Sequence, residues 1–366
     1  MGRSRELAEL ASAYDGSSLG FRNRIINGDM RIDQRNAGAA VNTTSLEKYI
    51  VDRWKFFENG SMDFSGQRST TAPAGFINSL LITTAAAASP SSGTRSQLQQ
   101  AIEGLNVADL SWGTASAQSV TLSFWVRSSL TGQFGGALQN GAQNYSYPFS
   151  FTISAANTFE FKTVTIPGPT SGTWNTDNTV GILLNFDLGM GSSLLGTAGS
   201  WSANDYRGVT GDVKLSENNG ATFYITGVQL EAGTVATPFE RRDYGRELQL
   251  CQRYYWKFDS GGGLYTNFGS GYVNVSTEAY AVFALKQTMR ATPTMSTTGT
   301  AASYEILGGS NLRVTLGTVP VLDTNNSSPS QVFVGCNVAS GLTSGQGCML
   351  RANNTTSAFL AFSAEL

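Results

Sequence analysis

Most of this chain alternates apolar and polar residues with a period of two, and only near its start does a period close to 3.6 take over. In SVTLSFWVR, Val120, Leu122, Phe124 and Val126 fall on one face, with Ser119, Thr121, Ser123 and Trp125 on the other. VGILLNFDL repeats the pattern with Val180, Ile182, Leu184, Phe186 and Leu188, and YPFSFTI does so with Tyr147, Phe149, Phe151 and Ile153. Each reads as a half-buried strand. Weaker alternation predicts further strands over 24–33, 49–57, 78–83, 97–103 and 158–166. In ATFYITGVQL the apolar phase of Phe223 and Ile225 resumes out of step at Val228 and Leu230, which predicts a bulge near Gly227.

Residues 4–15 are the helical exception. Leu7, Leu10, Ala11 and Tyr14 stand at i, i+3, i+4 and i+7, with Ser4 placed as N-cap and Gly16 as the stop. A helix of roughly 12 residues is marginal alone in water, so its apolar stripe needs a cover: the chain's own body, copies of itself, or a different protein. Its position ahead of the first strand, on the flexible GSSLG, points to self-association or attachment.

Strands without intervening helical patterns from about 21 to 240 call for two sheets packed face to face. The fold class expected is therefore all-β. Residues 1–20 form an anchoring or trimerisation helix, 21–243 a jelly-roll β-sandwich, 244–256 a short interdomain helix and 257–366 a smaller C-terminal β-domain. Two connections, 83–94 and 189–220, are long for hairpins, and loops beyond about 15 residues are usually functional or intersubunit. The second carries Trp201 and Tyr206 and is expected to lie across a neighbouring surface. No fixed-period repeat supports a solenoid.

Composition removes much of enzymology. The 366 residues contain no histidine, which excludes Ser-His-Asp and Cys-His catalysis and every His-ligated metal site. Cys251, Cys336 and Cys348 are odd in number and scattered, as ordinary buried thiols are. No phosphate-binding glycine loop and no metal-ligating cluster occurs, so neither cofactor nor metal is expected. Asp177, Asp187, Asp205 and Asp212 crowd around one strand and its loops, but on solvated loops such residues serve turns rather than a catalytic carboxylate pair. A net charge of −2 without basic runs argues against nucleic acid. No signal-like or membrane-length apolar stretch appears, so synthesis and retention in a cytoplasm are expected, with no membrane insertion.

Aromatic residues are the plentiful functional material. Trp112, Trp174 and Trp201 each sit beside small turn residues, where a ring either stacks on sugar or caps the sandwich core. Trp54, Trp125 and Trp256 read as core or interface. Tyr265, Phe268 and Tyr272 flank a Gly-rich hairpin and could form an exposed patch. The candidate glycan-stacking residues are thus Trp174, Trp201, Tyr206, Tyr265 and Tyr272, and the candidate assembly residues Leu7, Leu10, Ala11 and Tyr14.

Several segments together resemble phage virion fibre proteins: RELAELASAYDG, NRIINGDMRIDQRNAG, YIVDRWKF, QAIEGLNVADL, GTASAQSVTLSFWVRSSLTG, KTVTIPGPTSGTWNTDNTVGILLNFDLGMGS and GATFYITGVQLEAGTVATPFERRDYGRELQLCQRYY. They run in order over about 4–255. The resemblance implies a jelly roll related to carbohydrate-binding modules, whose first strand carries an Asn-Gly-Asp element, here Asn27, Gly28 and Asp29. It also implies a homotrimeric tail fibre on the virion surface, attached to other virion proteins by its N-terminus, with its distal domain on a host-surface glycan or protein. No catalytic role is expected. The rival readings are a head fibre or capsid-surface decoration of purely structural role, and a polysaccharide depolymerase. A cellular carbohydrate-binding module is disfavoured, since neither a catalytic partner domain nor a secretion signal accompanies it.

Overall fold

The computed structural model describes residues 21–43 and 47–366. The predicted helix over 4–15, with Leu7, Leu10, Ala11 and Tyr14, lies outside the described residues. Two compact units divide the chain, one running through Asp243 and the other from Tyr244 to Glu365. Among the described residues the protein is all-β apart from short helical turns and one α-helix.

The described residues of the first unit form β1 (Val41–Asn42), β2 (Lys48–Val51), β3 (Trp54–Glu58), β4 (Asp63–Ser69), β5 (Ser79–Ala86), β6 (Ser96–Glu103), β7 (Val120–Ser128), β8 (Gly132–Asn140), β9 (Ser146–Ile153), β10 (Glu160–Ile166), β11 (Val180–Asp187), β12 (Leu195–Gly196), β13 (Gly208–Val209) and β14 (Thr222–Ala232). The first sheet has the order β1-β4-β5-β14-β7-β10 and the second β2-β3-β6-β11-β8-β9, all neighbours antiparallel. Neighbours distant in sequence, such as β14 between β5 and β7, give the crossed connections of a jelly-roll sandwich. The alternating sets meet between the sheets. Val120, Leu122, Phe124 and Val126 from β7 face Ile182, Leu184 and Phe186 from β11 in one core, all fully buried. The bulge falls where the apolar phase slips: the β14–β7 register shifts between Thr226 and Gln229, and Gly227 adopts φ +61°.

The second unit contains α1 (Tyr244–Gln252), β15 (Tyr255–Asp259), β16 (Asn267–Val275), β17 (Glu278–Ala284), β18 (Thr294–Thr297), β19 (Tyr304–Leu307), β20 (Arg313–Thr315), β21 (Val321–Asp323), β22 (Gln331–Asn337), β23 (Gly347–Ala352) and β24 (Phe359–Ser363). A seven-stranded sheet, β20-β19-β23-β16-β17-β22-β21, and a three-stranded one, β15-β24-β18, enclose their own apolar core. All three cysteines are free, buried thiols, and burial pushes the Cys336 and Cys348 thiols up.

Three expectations are corrected. Residues 24–33 are not a strand. Asn27 and Met30 take φ of +57° and +58°, which breaks the pleat, and side chains replace the ladder. Asn23 accepts from the backbone N–H groups of Ile25 and Leu230, and Asn27 both accepts from and donates to Ile32. Residues 49–57 are a tight hairpin, β2–β3, turned at Arg53 with φ +70°. The helix expected over 244–256 ends at Gln252, because Tyr255 and Trp256 already pair with Ser363 and Phe362 in the smaller sheet.

The loop over 189–220 lies across the chain's own second sheet. Ser146 and Ser202 exchange backbone hydrogen bonds at 2.9 Å, and Val213 N–H donates to Gln133 O at 2.7 Å. Val209 sits where a side chain at Gly135 would stand. Beneath the loop runs a buried amide chain: Gln99 donates to Asn185 (2.6 Å), Asn185 to Gln139 (2.9 Å) and Gln139 to Asp205 (2.7 Å). Asp205 in turn holds Arg207 (3.0 Å) and Arg95 (3.1 Å). These polar groups lie on the outward side of the sheet, and the partners brought by the loop satisfy them as burial requires.

Candidate functional site

The tryptophans singled out in the sequence converge. Trp112 follows a 3-10 turn over Ala108–Leu110 and a left-handed Ser111, Trp174 lies between β10 and β11, and Trp201 rides on the long loop. Their rings meet edge to face: Trp112–Trp174 at 4.7 Å, Trp112–Trp201 at 5.5 Å and Trp174–Trp201 at 5.4 Å between centroids. Tyr145 stacks on Trp201 at 5.7 Å with planes 12° apart. Every indole N–H is committed to a backbone carbonyl: Trp112 to Gln118 (2.8 Å), Trp174 to Ser171 (3.1 Å) and Trp201 to Pro167 (2.7 Å). The rings are therefore locked before any ligand arrives, at little further entropy cost.

Trp112 is buried and caps the sandwich core, while Trp174 and Trp201 remain half-buried against it. Beside Trp112 and Trp174 opens a cleft of about 380 Å³, lined also by Ser111, Thr114, Ser116 and Asn175. An aromatic wall with small hydroxyl and amide groups around it suits a sugar ring: C–H groups pack on the indole and hydroxyls exchange hydrogen bonds with the rim.

The other candidates do not join this cluster. Tyr206 lies half-buried along the loop, its ring where a side chain at Gly196 would stand, and its N–H donates to Ser146 Oγ at 3.2 Å. In the second unit Tyr265 is exposed beneath Arg351 and Arg313, whose guanidinium carbons stand 5.2 and 5.7 Å from its ring centre. Tyr272 is exposed and pairs across strands with Tyr280 at 5.8 Å. Phe268 packs instead into the second core against Phe258 and Tyr304. The sequence reading missed Tyr145, which stands just before β9 although it continues the phase of Tyr147 and Phe149.

The acidic cluster also differs from expectation. Asp177 does serve a turn, accepting from Thr179. Asp187 and Asp212 are instead enclosed, with no side-chain exposure, and share Lys214 at 3.1 and 2.5 Å. Burial, aided by the Asp187 carboxylate, pushes Asp212 up to about 8, so one proton is held at neutral pH where a single cation faces two acids. The folded protein thus binds a proton that the unfolded chain, titrating near 3.8, has released. Stability from this group is present below about pH 4 and is lost as pH rises towards 8. Replacing Asp212 with Asn is expected to flatten that slope in urea denaturation between pH 5 and 8. An unchanged slope rules out the shared proton.

No family model matches the chain, and no curated protein is significantly similar to it. Solved structures give distant likenesses. The enzymatically active domain of tailspike protein 4 from bacteriophage CBA120 aligns at 13% identity over 58% of this chain, with a TM-score of 0.32. The alignment spans 21% of that chain. A family 11 carbohydrate-binding module from Clostridium thermocellum, in complex with a β-1,3-1,4-mixed-linked tetrasaccharide, aligns at 11% identity over 52% of this chain and 97% of that one, with a TM-score of 0.27. A C-terminal family 22 module from the same organism aligns at 14% identity over 50% and 89%, also with a TM-score of 0.27.

Proposed function

We propose that this protein is a non-enzymatic, homotrimeric phage virion fibre, attached to the particle through its N-terminal residues and engaging a host-surface glycan. The observation that carries the glycan-binding part is the cleft beside Trp112 and Trp174: a prelocked aromatic wall ringed by Ser111, Thr114, Ser116 and Asn175. The virion assignment rests on the ordered series of fibre-like segments over about 4–255. Low charge and abundant Ser, Thr, Gly and Asn suit surfaces shared between copies. A shallow cleft binds one sugar segment weakly, and three tethered clefts acting together lengthen residence by avidity.

The test is binding of the purified protein to polysaccharide extracted from the host surface, alongside sedimentation. Trp174→Ala is expected to weaken binding about tenfold per site, about 1.4 kcal/mol, and Trp174→Phe to keep most of it. Sedimentation is expected to give a trimer for both. Full binding by the alanine variant removes the cleft from the proposal, and a monomer at micromolar concentration removes the fibre.

A further inference from the structure

The outward face of the first sheet carries a second aromatic surface, of which the sequence reading singled out only Trp125, as core or interface. Trp125 on β7 and Phe161 on the edge strand β10 lie side by side, ring centres 5.4 Å apart. Phe161 is 47% exposed. Facing them are Phe76 and Phe239, themselves edge to face at 5.3 Å. Between the pairs lies an open cleft of about 320 Å³, floored by Gly227. The bulge makes the room, since a Cβ at Gly227 would stand 2.6 Å from Phe76 and 3.2 Å from Trp125.

One cation, Arg241, lines the cleft, and a second, Arg127, lies farther along the same face of β7. The Arg241 guanidinium lies 4.7 Å from the Phe76 ring centre and donates to Gly75 O at 2.6 Å. Arg127, two residues from Trp125 and so about 6.6 Å along the strand, lies over Tyr224 at 4.9 Å. Its bond to Asn157 Oδ1 is long, 3.5 Å, and its Nε has no hydrogen-bond partner. No carboxylate among the described residues forms an ion pair with either guanidinium. Asp29, the acid whose titration feels Arg241, is itself held by Arg31 at 2.8 Å. Two cations without counter-ions therefore flank an aromatic floor on a chain whose net charge is −2.

We propose that this face is a binding site for an acidic oligosaccharide, with pyranose rings packed on Trp125 and Phe161 and sugar carboxylates on Arg127 and Arg241. A guanidinium binds carboxylate through two parallel hydrogen bonds, and an aromatic face takes the C–H side of the ring. Two-fold pairing of this face with itself fits less well, because it would set the same arginines against one another. The site does not depend on the cleft at Trp174.

The experiment is titration of the full-length protein with hexagalacturonate and with its methyl ester, which keeps the rings and removes the charge. The acid is expected to bind at least tenfold more tightly than the ester, and less tightly as salt rises. Phe161→Ala and the double variant Arg127→Gln, Arg241→Gln are each expected to lower affinity for the acid tenfold or more, whereas Trp174→Ala leaves it unchanged. Equal binding of acid and ester, no binding of the acid, or full binding by the variants overturns the proposal. A change of sedimentation with Phe161→Ala and no change in affinity also overturns it, and marks the face as a contact between copies. Loss of binding with Trp174→Ala alone overturns it too, by placing the acid in the other cleft.

Discussion

Replacing Phe186 with alanine is expected to destabilise the sandwich by about 3–5 kcal/mol, the range for emptying a fully packed aromatic site. Phe186 is completely buried near the centre of the first core. Its ring meets those of Phe124 at 5.1 Å, Phe149 at 6.0 Å, Trp54 at 6.4 Å and Phe151 at 6.4 Å. These neighbours come from both sheets, so none can move into the void without giving up contacts elsewhere. A loss of this size is a large part of a typical domain's stability, about 5–15 kcal/mol. Phe161→Ala supplies the comparison: the same change at an exposed position on an edge strand is expected to cost under about 1 kcal/mol. Urea denaturation followed by far-ultraviolet circular dichroism measures both. Equal costs would mean that packing between the sheets is not what holds this unit together.

The contrast also explains what could be read from the chain alone. Strict alternation tells which side of a sheet is wet, so β7, β9 and β11 stood out and with them the all-β class. Strands whose stability comes from their neighbours left no such trace. Asp63–Ser69 is mostly polar, and Gly132–Asn140 carries glycines where Val213, Val209 and Asn185 approach it closely. The site was legible as a residue type but not as a place. Trp112, Trp174 and Trp201 belong to separate connections, and only the closed sandwich brings them within 5.5 Å. Trp125 was read on the outward face, yet its neighbour Phe76 comes from a loop that periodicity does not describe. The loop over 189–220 was recognisable by length, whereas its seat depended on Ser146 and Asp187, residues that look unremarkable in sequence.

The Asn-Gly-Asp element is the clearest case of a motif whose physical meaning the fold supplies, and Asn27→Ala tests it. Asn27 is fully buried, in the left-handed region at φ +57°. Its Nδ2 donates to Ile32 O (2.8 Å) and Asp52 O (2.9 Å), while its Oδ1 accepts from Ile32 N–H at 2.9 Å. Its own carbonyl accepts from the Trp54 indole at 3.0 Å. One residue thus ties the strap over 24–33 to the β2–β3 turn through its side chain and holds the Trp54 ring through its carbonyl. Alanine strands those backbone groups, each buried orphan costing about 1–3 kcal/mol, and keeps a Cβ in the left-handed region, as asparagine does, without the local hydrogen bonds that let asparagine occupy it. The expected loss is about 3–5 kcal/mol in urea denaturation. Asn27→Gly orphans the same groups without the backbone strain, so it should retain about 1 kcal/mol more than alanine. Asn27→Asp keeps the shape but sets a carboxylate against the carbonyls of Ile32 and Asp52, and should approach the alanine value. A glycine variant as unstable as alanine would show that the left-handed turn stores no strain. Near-wild-type stability in all three would mean that the strap is held from elsewhere.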